Sequence, residues 1–325
     1  MELRKDPITR SWILVGHREV LSLAPNECPL CPRKDEPPLL LRLPAEGPWR
    51  VSVRPHSNPL YHIEGDMARE AEGIYDKMLP VGAHEWIAET PNHEGTLAYM
   101  DDDQIALVLE AYRLRILDLK RDRRFKYVTV FRNRGLPAGE ELGHPHSEVT
   151  ASAFVPRRIL YELRAARGWF EEKERCVFCD IVRQEERRGT RLVDSQGDYY
   201  ALCPYASRVP FEVWLMSRRH NHLFEQPRHK SNRRDLAILL GRTLRRIGRI
   251  TGCYHMVLHT APNIIDRSGD LQEYWKTIAE DYHWHIEILP ILEKVSKSYS
   301  IKEVYFNQIL PEQAAERLRQ TDPNP

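Results

Sequence analysis

Long apolar runs are missing from these 325 residues: none approaches the length that crosses a bilayer. No membrane partner is therefore expected. Net charge is nearly absent as well, at +1, so no global field draws nucleic acid or a lipid surface. The opening residues Met1-Glu2-Leu3-Arg4-Lys5-Asp6 lack the apolar core of a signal peptide, and a cytoplasmic protein is expected. Cysteine is scarce, with six in all, yet four of them form two Cys-x-x-Cys pairs, Cys28/Cys31 and Cys176/Cys179. Without an export signal that pattern favours metal over disulfide.

The rest of the composition fits a soluble globular chain, with 29% charged and 42% hydrophobic residues. The length suits one large or two ordinary domains. Local arginine pairs such as Arg157-Arg158, Arg187-Arg188 and Arg245-Arg246 read first as solvated faces, with phosphate binding the minority reading.

The chemistry concentrates in Gly143-His144-Pro145-His146-Ser147-Glu148. In a strand, residues two apart share a face, so His144, His146 and Glu148 are expected on one side of a sheet. A second such stretch, His283-Trp284-His285-Ile286-Glu287, lies near the C-terminus. Each follows a Cys-x-x-Cys knuckle. Two thiolates at that spacing can hold one zinc from a single turn. A redox pair is the rival reading, but prolines flank Cys28 and Cys31 instead of a helix opening after a strand. His93, in a loop before a helix, is the natural third ligand.

Alternation and β-rich composition predict strands at 49–55, 82–91, 127–131, 199–204, 211–216 and 254–259. A helix should open at Asp101, spaced with Gln104 for a capping box, and bury Ile105, Val108, Leu109, Tyr112, Ile116 and Leu119. Leu236, Leu239, Leu240, Leu244 and Ile247 mark its counterpart. Element order thus repeats, with unequal offsets, as an old duplication with loop changes. The halves, residues 1–165 and 166–325, show no flexible linker and are expected to share a sheet or a tight interface. His84 reads as a packed histidine, Cys203 and Cys253 as buried small hydrophobes, and Trp12, Trp86 and Trp214 as core.

An ordered set of motifs then resembles the galactose-1-phosphate uridylyltransferase family of the histidine-triad superfamily. It runs through most of the chain: Asp6-Pro7-x-Thr9, Cys28-x-x-Cys31, Gly82-x-His84-Glu85, Glu89-Thr90-Pro91-x-His93, Asn133-x-Gly135 and His144-Pro145-His146. The second half adds Cys176-x-x-Cys179-Asp180-Ile181-Val182, Pro204-Tyr205-Ala206-Ser207-Arg208, Arg219-His220, His259-Thr260-Ala261-Pro262 and Tyr282-His283-Trp284-His285-Ile286-Glu287. The resemblance implies an α+β fold of two histidine-triad-like halves, mainly antiparallel sheet flanked by helices. It implies nucleotidyl transfer from a nucleoside diphosphate sugar to a sugar 1-phosphate, through a covalent nucleotide on His146. Imidazole suits that task, being neutral near pH 7, nucleophilic, and able to form a labile phosphoramidate. His144 is implied as a zinc ligand with Cys28, Cys31 and His93. Cys176, Cys179, His220 and His283 would be an equivalent second set, with His220 preferred to His222 because its counterpart is His93. His285 falls at the nucleophile's place in the second half and is read as structural. A homodimer is also implied.

Two positions depart from the family pattern. Glu148 stands where glutamine donates to phosphate, and an ionised carboxylate only accepts. It could be protonated by burial, neutralised by an arginine such as Arg134, or act as a base on water. His56 stands where the family has asparagine near the nucleoside, so the base is left open. Asn133 and Gly135 are read as shaping a phosphate-facing loop. Ser147 is read as a candidate phosphate donor, although a regular strand would turn its side chain away. Phosphorolysis or hydrolysis of the same intermediate is the alternative activity, and a zinc-stabilised nucleotide-binding protein without catalysis is the alternative class.

Overall fold

The computed structural model describes residues 1–18, 28–34, 36, 38–226, 232–264, 276–292 and 304–324. Among the described residues the chain builds two antiparallel sheets. The smaller combines β1 (Glu2–Lys5), β2 (Trp12–Val15), β5 (Glu70–Glu72) and β6 (Tyr75–Met78) in the order β2-β1-β6-β5. The Asp6 carboxylate caps the β1–β2 turn by accepting from the backbone N–H groups of Ile8 and Thr9 and from the Thr9 hydroxyl.

The larger sheet has ten strands among the described residues. Its first half uses β3 (Leu41–Leu43), β4 (Val51–Pro55), β7 (Gly82–Ala88), β8 (Tyr127–Arg134) and β9 (His146–Ser152). The second uses β10 (Leu192–Gln196), β11 (Tyr199–Leu202), β12 (Val213–Ser217), β13 (Tyr254–His259) and β14 (His285–Pro290). The order β10-β11-β12-β14-β13-β8-β9-β7-β4-β3 reads with the same logic from both ends, meeting where β8 pairs antiparallel with β13. The nucleophile-bearing strand β9 and its counterpart β14 thus occupy matching places one strand from the junction. The expected division between 165 and 166 falls inside α2 (Arg157–Lys173), a continuous helix.

One face of this sheet is apolar and covered by α1 (Asp102–Leu119) and α4 (Arg233–Gly248). The helical spacing read from the sequence explains this: Ile105, Val108, Leu109, Tyr112 and Ile116 meet Leu236, Leu239, Leu240, Leu244 and Ile247 in one core with Val53, Ile87, Val130, Val149, Leu258 and Ile286. Burying such side chains contributes about 1.5–3 kcal/mol each. Asp101 caps α1, accepting from the Gln104 N–H at 2.7 Å. The reciprocal half of the capping box does not form. The Gln104 amide instead donates to the carbonyls of Arg50 and Glu89, at 2.9 and 2.5 Å, and ties the helix to the sheet.

The other face carries the polar chemistry. In the second half, α2 and α3 (Val177–Arg188) cover it with a separate cluster that includes Leu163, Phe178, Val182, Leu202 and Met216. Trp86 is buried as expected, but Trp12 and Trp214 are half-buried. Among the described residues, no helix is long and apolar enough to cross a membrane.

Candidate active site and candidate metal centres

Register fixes which side chains meet. Pairing of β7 with β9 sets Ala88 opposite His146, Trp86 opposite Glu148 and His84 opposite Thr150. Cross-strand partners share a face, so His84 and Trp86 join His146 and Glu148. Phe131 of β8 joins them from the other side, opposite Glu148.

His146 is 2% exposed and begins β9. Its Nδ1 lies 2.7 Å from the His144 carbonyl oxygen. A carbonyl only accepts, so Nδ1 carries the proton and Nε2 bears the lone pair. That is the tautomer a nucleophilic imidazole needs. The segment that presents it is held on both sides. The Glu89 N–H donates to the Pro145 carbonyl at 3.0 Å, and His144 turns into a cluster of metal-ligand type.

That cluster brings together one ligand atom each from Cys28, Cys31, His93 and His144, all within 4.8 Å of one another. Cys31 Sγ is 3.3 Å from His93 Nδ1 and 3.6 Å from His144 Nδ1. The His144 Nε2–H donates to the Thr90 carbonyl at 2.7 Å, which leaves Nδ1 free for a cation, the usual arrangement for a ligating histidine. Burial pushes the Cys28 thiol up, but the neighbouring His144 ring and the Leu30 N–H outweigh it and bring it down to about 7.

The second knuckle forms a matching cluster from Cys176, Cys179, His220 and His283. Cys179 Sγ lies 3.3 Å from His220 Nδ1 and 3.5 Å from His283 Nδ1. The outer nitrogens meet the Ala279 carbonyl, at 2.9 Å, and the Ser217 hydroxyl, at 2.8 Å. Cys176 is the N-cap of α3 and Cys179 lies in its first turn, where unpaired backbone N–H groups favour a thiolate. The neighbouring Cys176, with the His220 and His283 rings, brings the Cys179 thiol down to about 3 despite burial.

Glu148 does not meet Arg134. That guanidinium pairs with Glu140 at 2.9 Å. The partner of Glu148 is His84, whose Nε2 lies 2.7 Å from Oε2. His84 Nδ1 accepts the Leu60 N–H at 3.1 Å, so Nε2 carries a proton and donates to the carboxylate. His56 stacks on His84 with ring centroids 4.1 Å apart. Its Nδ1 accepts from the Asn58 N–H, which directs Nε2–H at Glu141 Oε2, 3.2 Å away. The hydrogen bond from His56, with help from Arg18, holds the Glu141 carboxyl down at about 2.

Ser147 corrects an expectation. Its hydroxyl points to the helix-covered face, donates to Glu89 Oε1 at 2.6 Å and meets the Tyr112 hydroxyl. It cannot face a phosphate at His146, because β9 is a regular strand and alternation turns residue 147 away. Asn133 lies on the polar face, where its Oδ1 accepts from His255 Nδ1 at 2.9 Å. Gly135 has φ +87°, and a Cβ there would stand 2.4 Å from Cys253 Sγ; its N–H donates to Glu140 at 2.8 Å. Cys253 is half-buried and packs on this glycine, whereas Cys203 is fully buried.

The second half places His285 as the first places His146, with Nδ1 3.2 Å from the His283 carbonyl. Its surroundings differ. Phe178, Trp214 and His259 pack against the ring at 5.3, 5.2 and 4.6 Å. Burial, then the nearby charge of His259, lowers His285 to about 4. Glu162, His259, His285 and Glu287 form a third group with ligand-type atoms close together, but Arg158 and Arg208 also reach the Glu287 carboxylate, at 2.9 and 2.8 Å. The motif reading assigned Glu162 no role and set Arg158 and Arg208 only in an arginine pair and a motif, without this contact, because helix α2 and the 204–208 loop approach the sheet only in three dimensions.

Comparison with known proteins finds relatives of two named activities. The family model for galactose-1-phosphate uridyl transferase, N-terminal domain, matches residues 63–156. A galactose-1-phosphate uridylyltransferase of Thermotoga maritima is 28% identical over 99% of both chains. An ADP-glucose phosphorylase of Arabidopsis thaliana is 26% identical over 98% of this chain and 92% of its own. A solved uridylyltransferase structure superposes with a TM-score of 0.83 at 28% identity, covering 99% of this chain and 98% of that one.

Proposed function

Since the chain belongs to the galactose-1-phosphate uridylyltransferase family, we propose that it moves a nucleoside monophosphate from a nucleoside diphosphate sugar to an acceptor phosphate by way of His146. The observation that carries this reading is the 2.7 Å bond from His146 Nδ1–H to the His144 carbonyl, which aims a lone pair from Nε2. In the first step Nε2 bonds to the α-phosphorus and the bond to the sugar 1-phosphate oxygen breaks. In the second, an acceptor oxygen takes the phosphorus and the electron pair returns to Nε2. Splitting one displacement into two through a covalent intermediate is nucleophilic catalysis, and holding Nδ1 as N–H keeps the imidazole in the reactive tautomer throughout.

The two Cys2His2 groups suit zinc, which takes two thiolates and two imidazoles in closed centres with no open position for substrate. A cation held by Cys28, Cys31, His93 and His144 would stiffen the residue whose carbonyl orients His146. One held by Cys176, Cys179, His220 and His283 would do the same for the second half. Both are structural in this reading, and the resemblance further implies a homodimer. His285, packed under Phe178 and Trp214, takes no part in the chemistry.

A phosphorylase is the second reading, supported by the relative named ADP-glucose phosphorylase. The two are separated by steady-state kinetics with UDP- and ADP-sugars as donors and galactose 1-phosphate or inorganic phosphate as acceptors. Parallel double-reciprocal lines are expected for the true pair, and intersecting lines for every pair would contradict a ping-pong route.

A further inference from the structure

We propose that Glu148, oriented by His84, accepts a proton from water, so that the nucleotide on His146 is also discharged by hydrolysis to the free nucleoside monophosphate. The inference rests on the covalent step proposed above. It begins from a carboxylate on the nucleophile's own strand face, two residues along. Glu148 is 6% exposed, and the two imidazoles that face it have defined directions. His84 donates to Oε2 at 2.7 Å, and its other nitrogen is fixed as an acceptor by the Leu60 N–H. His56 Nε2 stands 4.0 Å from the same oxygen and is turned toward Glu141.

The cations at this edge are already engaged, Arg134 with Glu140 and Arg18 with Glu141. Among the described residues, Oε1 of Glu148 receives no hydrogen bond. An oxygen that only accepts, held in place by an N–H on its twin, matches a ligand that brings a proton. A dianionic sugar phosphate brings none, so an acceptor phosphate reaches the phosphorus from a position away from this oxygen. Water brings one and carries no charge. Water oxygen would bond to phosphorus while the P–Nε2 bond breaks and its electron pair returns to His146. The released proton goes to Glu148 Oε1 and then to solvent. His84 is the positioning residue, because its N–H fixes which carboxylate oxygen is left for water.

The test uses the full metal-loaded chain with UDP-glucose or ADP-glucose, no acceptor, in 18O-labelled water. The wild type is expected to release nucleoside monophosphate carrying the heavy oxygen. Glu148→Gln, close to isosteric, is expected to form the His146 adduct and discharge it to water about 100-fold more slowly, the scale of a lost general base. His84→Gln is expected to slow hydrolysis without slowing adduct formation. Adduct formation itself shows that each variant is folded. Adduct that forms but yields no labelled monophosphate would overturn this inference and leave the transfer reading intact, as would equal hydrolysis by Glu148→Gln. A wild type that gives neither adduct nor monophosphate with either donor would overturn both.

Discussion

Behind the nucleophile lies a buried charge pair whose removal has a calculable cost. Glu89 and Arg132 side chains are fully buried, with Arg132 Nε 3.1 Å from Glu89 Oε1 and 3.3 Å from Oε2. Burial works against the guanidinium, but the Glu89 carboxylate holds it charged. Neither terminal nitrogen of Arg132 has a hydrogen-bond acceptor among the described residues, so Glu89 is its chief compensation. Replacing one member strands the other. Glu89→Leu and Arg132→Met should each destabilise the protein by about 3–5 kcal/mol, whereas the double variant should lie near the wild type, since an apolar pair of similar volume is often neutral or better. Ser147 keeps its contact with the Tyr112 hydroxyl in all of them. Urea unfolding at fixed metal load measures this, provided the slope against denaturant is unchanged. If the double variant instead shows the sum of the single losses, the two groups are not coupled and the reasoning fails.

Two further outcomes follow from the same geometry. The Cys2His2 groups share no residue, so Cys31→Ser and Cys179→Ser should each lose one equivalent of bound metal by elemental analysis while keeping the other; loss of both from either variant would show the centres are not independent. Glu141 has a folded value of about 2 against an ordinary 4.5, chiefly through His56. A depressed carboxyl adds stability that is fully present above the ordinary value and is lost as pH falls toward the folded one. The stability gap between wild type and Glu141→Gln should therefore hold steady from pH 7 to about 5 and close between about 4.5 and 2. A gap that stays constant down to pH 3 would refute this.

Part of the site was legible from strand alternation and the Cys-x-x-Cys spacing, and the full ligand sets from the resemblance. His146 and Glu148 share a face, and Cys28, Cys31, His93 and His144 converge, as do Cys176, Cys179, His220 and His283. Local rules carried the two amphipathic helices equally well, because Ile105 to Leu119 and Leu236 to Ile247 keep one helical face. What the sequence hid depends on long-range approach. His84 could be placed on the right face by alternation, but its bond to Glu148 needs the Leu60 N–H to fix its tautomer. Arg134 was the reasonable partner for Glu148 until the turn at Gly135 carried it to Glu140. Gln104 abandoned its capping role because the carbonyls of Arg50 and Glu89 lay within reach.

The most direct test of a nucleotide carried on His146 is the intact mass of the protein after mixing with UDP-, ADP- and GDP-sugars, handled at neutral to basic pH to protect the phosphoramidate. Glu148→Gln should be run alongside to slow any loss to water, and His146→Ala as the control. The expected result is a gain equal to one nucleoside monophosphate with at least one donor, present in Glu148→Gln and absent from His146→Ala. The same gain in His146→Ala, or donor turnover by that variant at the wild-type rate, would contradict the account.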